Sequence, residues 1–218
     1  MATRVKLNSR VMRTSGQSAV WPAMIAVAMA TMAIAMASEV KKETDMNPKA
    51  VQQRAFTVVG IAARTSNAKE RTAEGVIGKQ WQRLMKEALL ATIPNKADGN
   101  ILAVYTEYAS DKDGEYTYVL GARVTNTERI PAGMVAISVP SGRYAVFTSE
   151  KGPVQKVVVE MWQRVWSTPK SALGGDRTYK ADFEVYDQRA QNPADAVVDL
   201  YVGVRQAEPP RDIPSEEY

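Results

Sequence analysis

Two features of this 218-residue chain decide what chemistry it can do: an acid set among aromatic residues, and the lack of the usual catalytic side chains. There is no Cys and no His. That removes thiolate nucleophiles, Ser-His-Asp triads, imidazole bases and Cys/His zinc sites. Any catalysis falls to Asp, Glu, Tyr, Lys, Ser or ordered water, and no metal or cofactor is expected. No disulfide can form, so the core alone must hold the fold.

The sharpest local signal is Asp182-Phe183-Glu184-Val185-Tyr186. Strand alternation puts Phe183 and Val185 on one face and Glu184 and Tyr186 on the other. If helices cover the Phe183 face, Glu184 is a solvated surface acid. If Glu184 faces a cleft, it is a carboxylate beside Tyr. An aromatic-lined site with one acid suits a lipophilic cation, through cation–π and Coulomb attraction. Glu107 follows Tyr105 by two residues, on the same strand face, and is a second candidate. Asp199 and Glu160 are weaker, because exposed acids at such spacings are common. Three of the four Trp fall at 81, 162 and 166 on two helical stretches. They either fill the core, the default for Trp on an apolar helix face, or line a ligand cavity. Gly75-Val76-Ile77-Gly78 at a helix start lacks the Lys and remaining Gly of a phosphate loop.

The elements that must position these residues come as two copies. Trp81-Gln82-Arg83 recurs 81 residues later as Trp162-Gln163-Arg164. Val119-Leu120-Gly121-Ala122-Arg123 recurs 82 residues later as Tyr201-Val202-Gly203-Val204-Arg205. In the first copy, Phe56–Ala63 reads as a strand. An amphipathic helix follows from Val76, with Ile77, Trp81, Leu84, Met85, Ala88 and Leu89 on one face. A hairpin then joins residues 101–110 to 115–125 through Asp111-Lys112-Asp113-Gly114, where Asp-Gly suits positive φ. In the second copy, residues 134–149 form a long strand bent at Pro140-Ser141-Gly142. Gly152-Pro153 opens a helix with Val154, Val157, Val158, Met161, Trp162, Val165 and Trp166 at helical spacing. Residues 179–188 and 196–204 are two more strands.

The expected fold is α+β: duplicated strand-helix-strand-strand units, at about 56–125 and 134–205, with pseudo-two-fold symmetry. Two main helices lie on an antiparallel sheet, and the seam between halves is a natural place for a pocket.

The first 37 residues differ from the rest. Arg4, Lys6, Arg10 and Arg13 precede an uncharged run, Trp21 to Ala37, ending in Ala35-Met36-Ala37. This reads as a signal peptide, giving an exported, periplasmic or secreted protein. The other reading is an uncleaved membrane anchor, the one way the chain would meet a membrane. The leader holds four of the 28 Lys and Arg and none of the 24 Asp and Glu, so the remainder balances to zero net charge. A neutral chain gives no support for nucleic-acid binding, which needs a basic face. Residues 38–55 read as a flexible lead-in, 56–206 as the domain, and 207–218 as a disordered tail.

Ser141-Gly142-Arg143-Tyr144-Ala145-Val146-Phe147, then Gly152-Pro153, a Trp-bearing helix and Phe183-Glu184-Val185-Tyr186 resemble the GyrI-like small-molecule-binding family. This effector-binding domain is found fused to AraC-type and MerR-type regulators, and alone as integron-associated effector-binding proteins. The resemblance runs from about Phe56 to Arg205. It implies a cleft between repeats that binds amphipathic, often cationic, compounds through aromatics around an acid. The matching acid is Glu184, with Tyr186 beside it; Trp162, Trp81 and Tyr105 are the aromatic candidates. Some relatives look like hydrolases of reactive cyclopropane-bearing compounds, and others inhibit DNA gyrase by protein contact. The chain departs from the regulator pattern in having no helix-turn-helix partner and in its export leader.

Three functions follow as expectations. The first is stand-alone binding of a small amphipathic or cationic molecule. The second is a hydrolase using Glu184 with a Tyr to activate water. The third is a protein-interaction module with a filled seam, Trp81 and Trp162 packed on each other.

Overall fold

A computed structural model describes residues 47–205; the leader and the tail lie outside the described residues. The described residues form one eight-stranded antiparallel sheet. Its strands are β1 (Lys49–Gln53), β2 (Phe56–Ser66), β3 (Ile101–Thr106), β4 (Glu115–Val124), β5 (Val135–Val139), β6 (Gly142–Thr148), β7 (Asp176–Tyr186) and β8 (Asp199–Arg205). Two main helices, α1 (Ile77–Lys86) and α2 (Val154–Ser167), pack on one face.

The strand order is β1-β6-β8-β7-β3-β4-β2-β5. The left half mirrors the right: β6-β8-β7 answers β2-β4-β3, and an extra strand flanks each. The predicted strand-helix-strand-strand duplication is therefore what the chain builds. The halves meet where β3 pairs with β7, with Ala103 opposite Glu184 and Tyr105 opposite Asp182. The repeat offset of 81 carries residue 103 onto 184 and 105 onto 186, so the pseudo-two-fold axis passes between Ala103 and Glu184.

The sheet curls. Phe56 on β2 and Phe183 on β7 have two strands between them, roughly 14 Å in a flat sheet. Their ring centroids are only 5.3 Å apart. Phe183 also stacks on Tyr201 at 4.5 Å and meets Tyr144 edge-on. This second core fills the face away from the helices. Both faces at Phe183 and Glu184 are thus buried, which the sequence alternatives did not include. The helices cover the Glu184 face, and curling covers the other.

The recurring glycines serve close backbone approach. Gly60 and Gly121 face each other across β2 and β4. A Cβ on Gly121 would run into the backbone of Val59 and Gly60. Gly203 in the second copy also has no room for a Cβ, which would meet the Thr178 hydroxyl and the Ala181 carbonyl.

Four local expectations are corrected. Lys49–Gln53, inside the expected lead-in, is an edge strand paired with β6. Its polar Lys and Gln residues suit a solvated sheet edge, which is why it reads as loop. The first helix does not run on to Leu89: it ends at Lys86, and Ala88 turns left-handed at φ 50°. Met85, expected on the core face, is exposed. The Asp113-Gly114 step needs no positive φ; it closes a turn by a Gly114 N–H bond to the Asp111 carbonyl, and Glu107 takes the left-handed conformation instead. The long strand breaks at Pro140 into β5 and β6, as its Pro-Ser-Gly predicts.

Candidate functional site

The site forms where the helix-covered sheet face passes under the gap between α1 and α2. On α2, Val157, Met161 and Val165 recur every four residues and are buried. Val158 and Trp162, one residue further round, are half-buried, and Val159 and Trp166 are exposed. The apolar stripe is thus wider than its contact with the sheet, and its outer edge walls a cleft. α1 supplies the opposite wall through Ile77, Gly78 and Trp81. The cleft has two adjoining lobes, of about 510 Å³ and 470 Å³. Both are bordered by Ile77, Gly78, Tyr105, Gln155, Val158 and Val159.

Glu184 lies in the floor of the larger lobe, with 1% of its surface exposed. Three neutral donors hold its carboxylate. Tyr105 Oη donates to Oε1 at 2.8 Å, Trp162 Nε1 donates to the same oxygen at 2.7 Å, and Tyr186 Oη donates to Oε2 at 2.6 Å. Burial pushes the Glu184 carboxyl up from its ordinary value, and the three donors oppose that shift. Burial likewise drives the phenols of Tyr105, Tyr186 and Tyr118 well up, so each keeps its proton. The carboxylate has dipoles around it but, among the described residues, no cation bonded to it. Such a charge is costly in a dry site and attracts any cation that can reach it.

The aromatics around it obey the pseudo-symmetry. Tyr105 and Tyr186 are repeat mates, and each bonds one carboxylate oxygen. Trp81 meets Tyr186 edge-on at 4.8 Å and 70°. Its mate Trp162 meets Tyr105 at 4.8 Å and 69°. Each Trp therefore packs on the tyrosine of the other repeat. The two Trp are not packed on each other as the filled-seam reading requires.

Of the residues singled out in the sequence, the structure brings Glu184, Tyr186, Tyr105, Trp162 and Trp81 together. Glu107 is not among them. β3 ends at Thr106, and the left-handed turn at Glu107 breaks the alternation that would have kept it beside Tyr105. Its exposed carboxylate accepts from the Thr117 hydroxyl at 2.6 Å. Asp199 pairs with Arg189 at the surface, and Glu160 with Lys156.

Tyr118, which the sequence groups with Tyr105, Tyr108 and Tyr116 in the first hairpin, lies beneath the larger lobe. Other cleft residues escaped the sequence reading. Glu70 caps α1: its carboxylate accepts from the N–H groups of Val76 and Ile77. Those two amides are thereby occupied by a carboxylate, which sets a negative charge where a phosphate would have to sit. Asp182 lies under the other lobe. It accepts from Tyr108 Oη at 2.7 Å, Arg177 Nη2 at 2.6 Å and the Gly203 N–H at 2.9 Å. Burial is the largest single influence and works against the Arg177 charge, but Asp182, Tyr108 and Tyr179 together outweigh it and raise the guanidinium further. No sequence signal marks Arg177, because a bulge in β7 between Arg177 and Asp182 sets its position.

A duplicated antiparallel sheet with an acid and paired aromatics at its seam defines a small-molecule-binding domain of the GyrI-like class. The chain belongs to the integron-associated effector-binding protein family, whose match spans residues 49–204. It is 37% identical over 147 residues to the transcriptional-regulator-named protein YobU of Bacillus subtilis (strain 168), covering 67% of this chain and 90% of that one. Among solved structures it is similar to the integron cassette protein VCH_CASS2 of Vibrio cholerae: TM-score 0.57, 26% identity, 73% of this chain and 96% of that one. It shares its fold with SAV2435, solved bound to tetraphenylphosphonium, at TM-score 0.60 and 24% identity, over 73% of this chain and 94% of that one.

Proposed function

We propose that this effector-binding domain takes up a small amphipathic cation in the cleft between its repeats, with Glu184 as the countercharge. One observation carries the reading: a buried carboxylate, organised by three neutral donors and lacking a bonded cation, lies in the floor of an aromatic-walled cleft. A guest cation would supply the missing charge. Trp81, Trp162, Tyr105 and Tyr186 would supply apolar area and cation–π attraction. That a protein of the same fold was solved with tetraphenylphosphonium is consistent with this reading. Titrating intrinsic Trp fluorescence with tetraphenylphosphonium tests it directly. Saturable quenching in the wild type that shifts to much higher ligand concentration in Glu184→Gln supports the role; the same midpoint in both counts against it.

The leader extends the proposal to an exported protein that meets its ligand outside the cytoplasm. Fractionation of the native producer, with N-terminal sequencing of the recovered chain, checks that part. A cytoplasmic, full-length product would overturn it without touching the cleft.

A further inference from the structure

Among the described side chains, two buried polar atoms have no hydrogen-bond partner: Tyr118 Oη and Arg177 Nε. Buried polar groups are nearly always paired, so each such exception asks for a reason. Both belong to residues of this one cleft. Tyr118 borders the lobe of Glu184, and Arg177 borders the adjoining lobe.

Their surroundings say what is missing. An arginine Nε–H can only donate, and a phenol can donate its proton. Tyr118 has the Trp81 indole nearby, but an indole N–H is itself a donor and accepts nothing. Arg177 already has its charge balanced by Asp182 at 2.6 Å, and it stacks on Tyr179 at 4.3 Å. What each atom lacks is therefore an acceptor and not a counter-ion. Charged acceptors are disfavoured: Glu184 occupies one lobe, and in the other Glu70 stands with Lys112 and Arg177, each already paired with an Asp. That leaves a neutral oxygen such as a carbonyl, ester or ether.

We propose that the cleft selects aromatic cations that also carry a neutral hydrogen-bond-accepting oxygen, received by Tyr118 in the Glu184 lobe and by Arg177 in the adjoining one. This rests on the reading of the cleft as a cation site. It adds that purely hydrocarbon cations are the poorer ligands.

The test compares two dyes with the same cationic ring system. Tetramethylrosamine has a plain phenyl substituent, and tetramethylrhodamine methyl ester adds an ester to it. The readout is the ratio of their dissociation constants, measured by fluorescence anisotropy. In the wild type the ester dye should bind about five- to tenfold tighter, the effect of one recovered hydrogen bond. The ratio should fall toward one in Tyr118→Phe, which removes only the hydroxyl, or in Arg177→Lys, which keeps a cation for Asp182 and removes the Nε donor. Thermal melting of each variant confirms that it is folded. Equal affinity of the two dyes for the wild type overturns the proposal and leaves the cation site standing, as does an ester advantage that survives in the Tyr118→Phe/Arg177→Lys double variant. If neither dye binds, both the cation reading and this extension of it fail.

Discussion

Replacing Glu184 by Gln isolates the charge from the shape of the site. A carboxamide is nearly isosteric with the carboxylate. Its carbonyl can stand in for Oε1 and keep the bonds from Tyr105 and Trp162. Its amide can donate to the Tyr186 oxygen once that hydroxyl turns around. The fold should therefore survive. What disappears is Coulomb attraction to the guest. The Trp81–Tyr186 and Trp162–Tyr105 ring pairs flank the carboxylate at 4.8 Å centroid spacing, so a guest among them has its charge close to the carboxylate. At roughly 5 Å and an effective dielectric of about 20, the attraction is about 3 kcal/mol. A guest that also spreads its charge over its rings keeps somewhat less, so we expect about 2 kcal/mol, or about 30-fold weaker binding. Cation–π attraction to the four aromatics persists, so binding should weaken and not vanish. Isothermal titration with tetraphenylphosphonium and with neutral triphenylphosphine separates the two contributions. Only the cation should lose affinity. A similar loss for the neutral compound would show that the substitution damages the cleft, and no loss for the cation would refute the countercharge role.

The other expected outcomes concern protons and packing. Because burial raises the Glu184 carboxyl above its ordinary value, cation affinity should rise with pH up to that raised value and then level off. Below the plateau, binding should release up to one proton, seen by calorimetry in buffers of different ionisation enthalpy. Stability has the opposite sign: folding favours the protonated form, so this group's contribution is fully present below about 4.5 and is lost as pH rises through the folded value. Glu184→Gln should flatten both dependences. Trp162→Phe removes the indole N–H from Oε1, so the midpoint of the affinity profile should move to higher pH; an unmoved midpoint would mean that this bond does not hold the charge. Gly121→Ala drives a Cβ into the backbone of Val59 and Gly60. It should cost about 1–3 kcal/mol or more, read as a fall of several degrees in melting temperature.

The duplication was legible because its signals are local. Trp-Gln-Arg on each helix and a Gly in each β4-type strand repeat at nearly one offset, and the Gly requirement is physical, since a Cβ does not fit there. Glu184 and Tyr186 were legible as strand neighbours, but their side of the sheet was not. That depends on which face the helices take, a tertiary choice that alternation leaves open. The sequence also could not show that curling buries the Phe183 face without helices. Glu107 misled for a related reason: period-two reasoning holds only while the strand lasts, and β3 stops one residue earlier. Arg177 and Asp182 come together across a five-residue span that includes the left-handed Tyr179, and no periodic pattern predicts such a bulge.

The pseudo-symmetry shows how the aromatic shell at the seam comes to hold a single acid. The axis through the β3·β7 seam makes Ala103 the mate of Glu184, directly opposite it across the ladder. A second acid at position 103 would place two carboxylates on facing strands, about 5 Å apart at Cβ. Like charges there would raise one carboxyl until it stayed protonated, so a second acid would add a shared proton and little further charge. With Ala103, both repeats give their aromatics and only one gives an acid. The two mated tyrosines then serve one carboxylate from opposite sides, one per oxygen, and the indole of Trp162 adds a third bond. Trp81, its mate, has no carboxylate to bond and meets Tyr186 and Tyr118 instead. The asymmetry of one residue pair thus gives the two-fold aromatic shell one acid on its β7 side and none on its β3 side, which would orient an amphipathic cation.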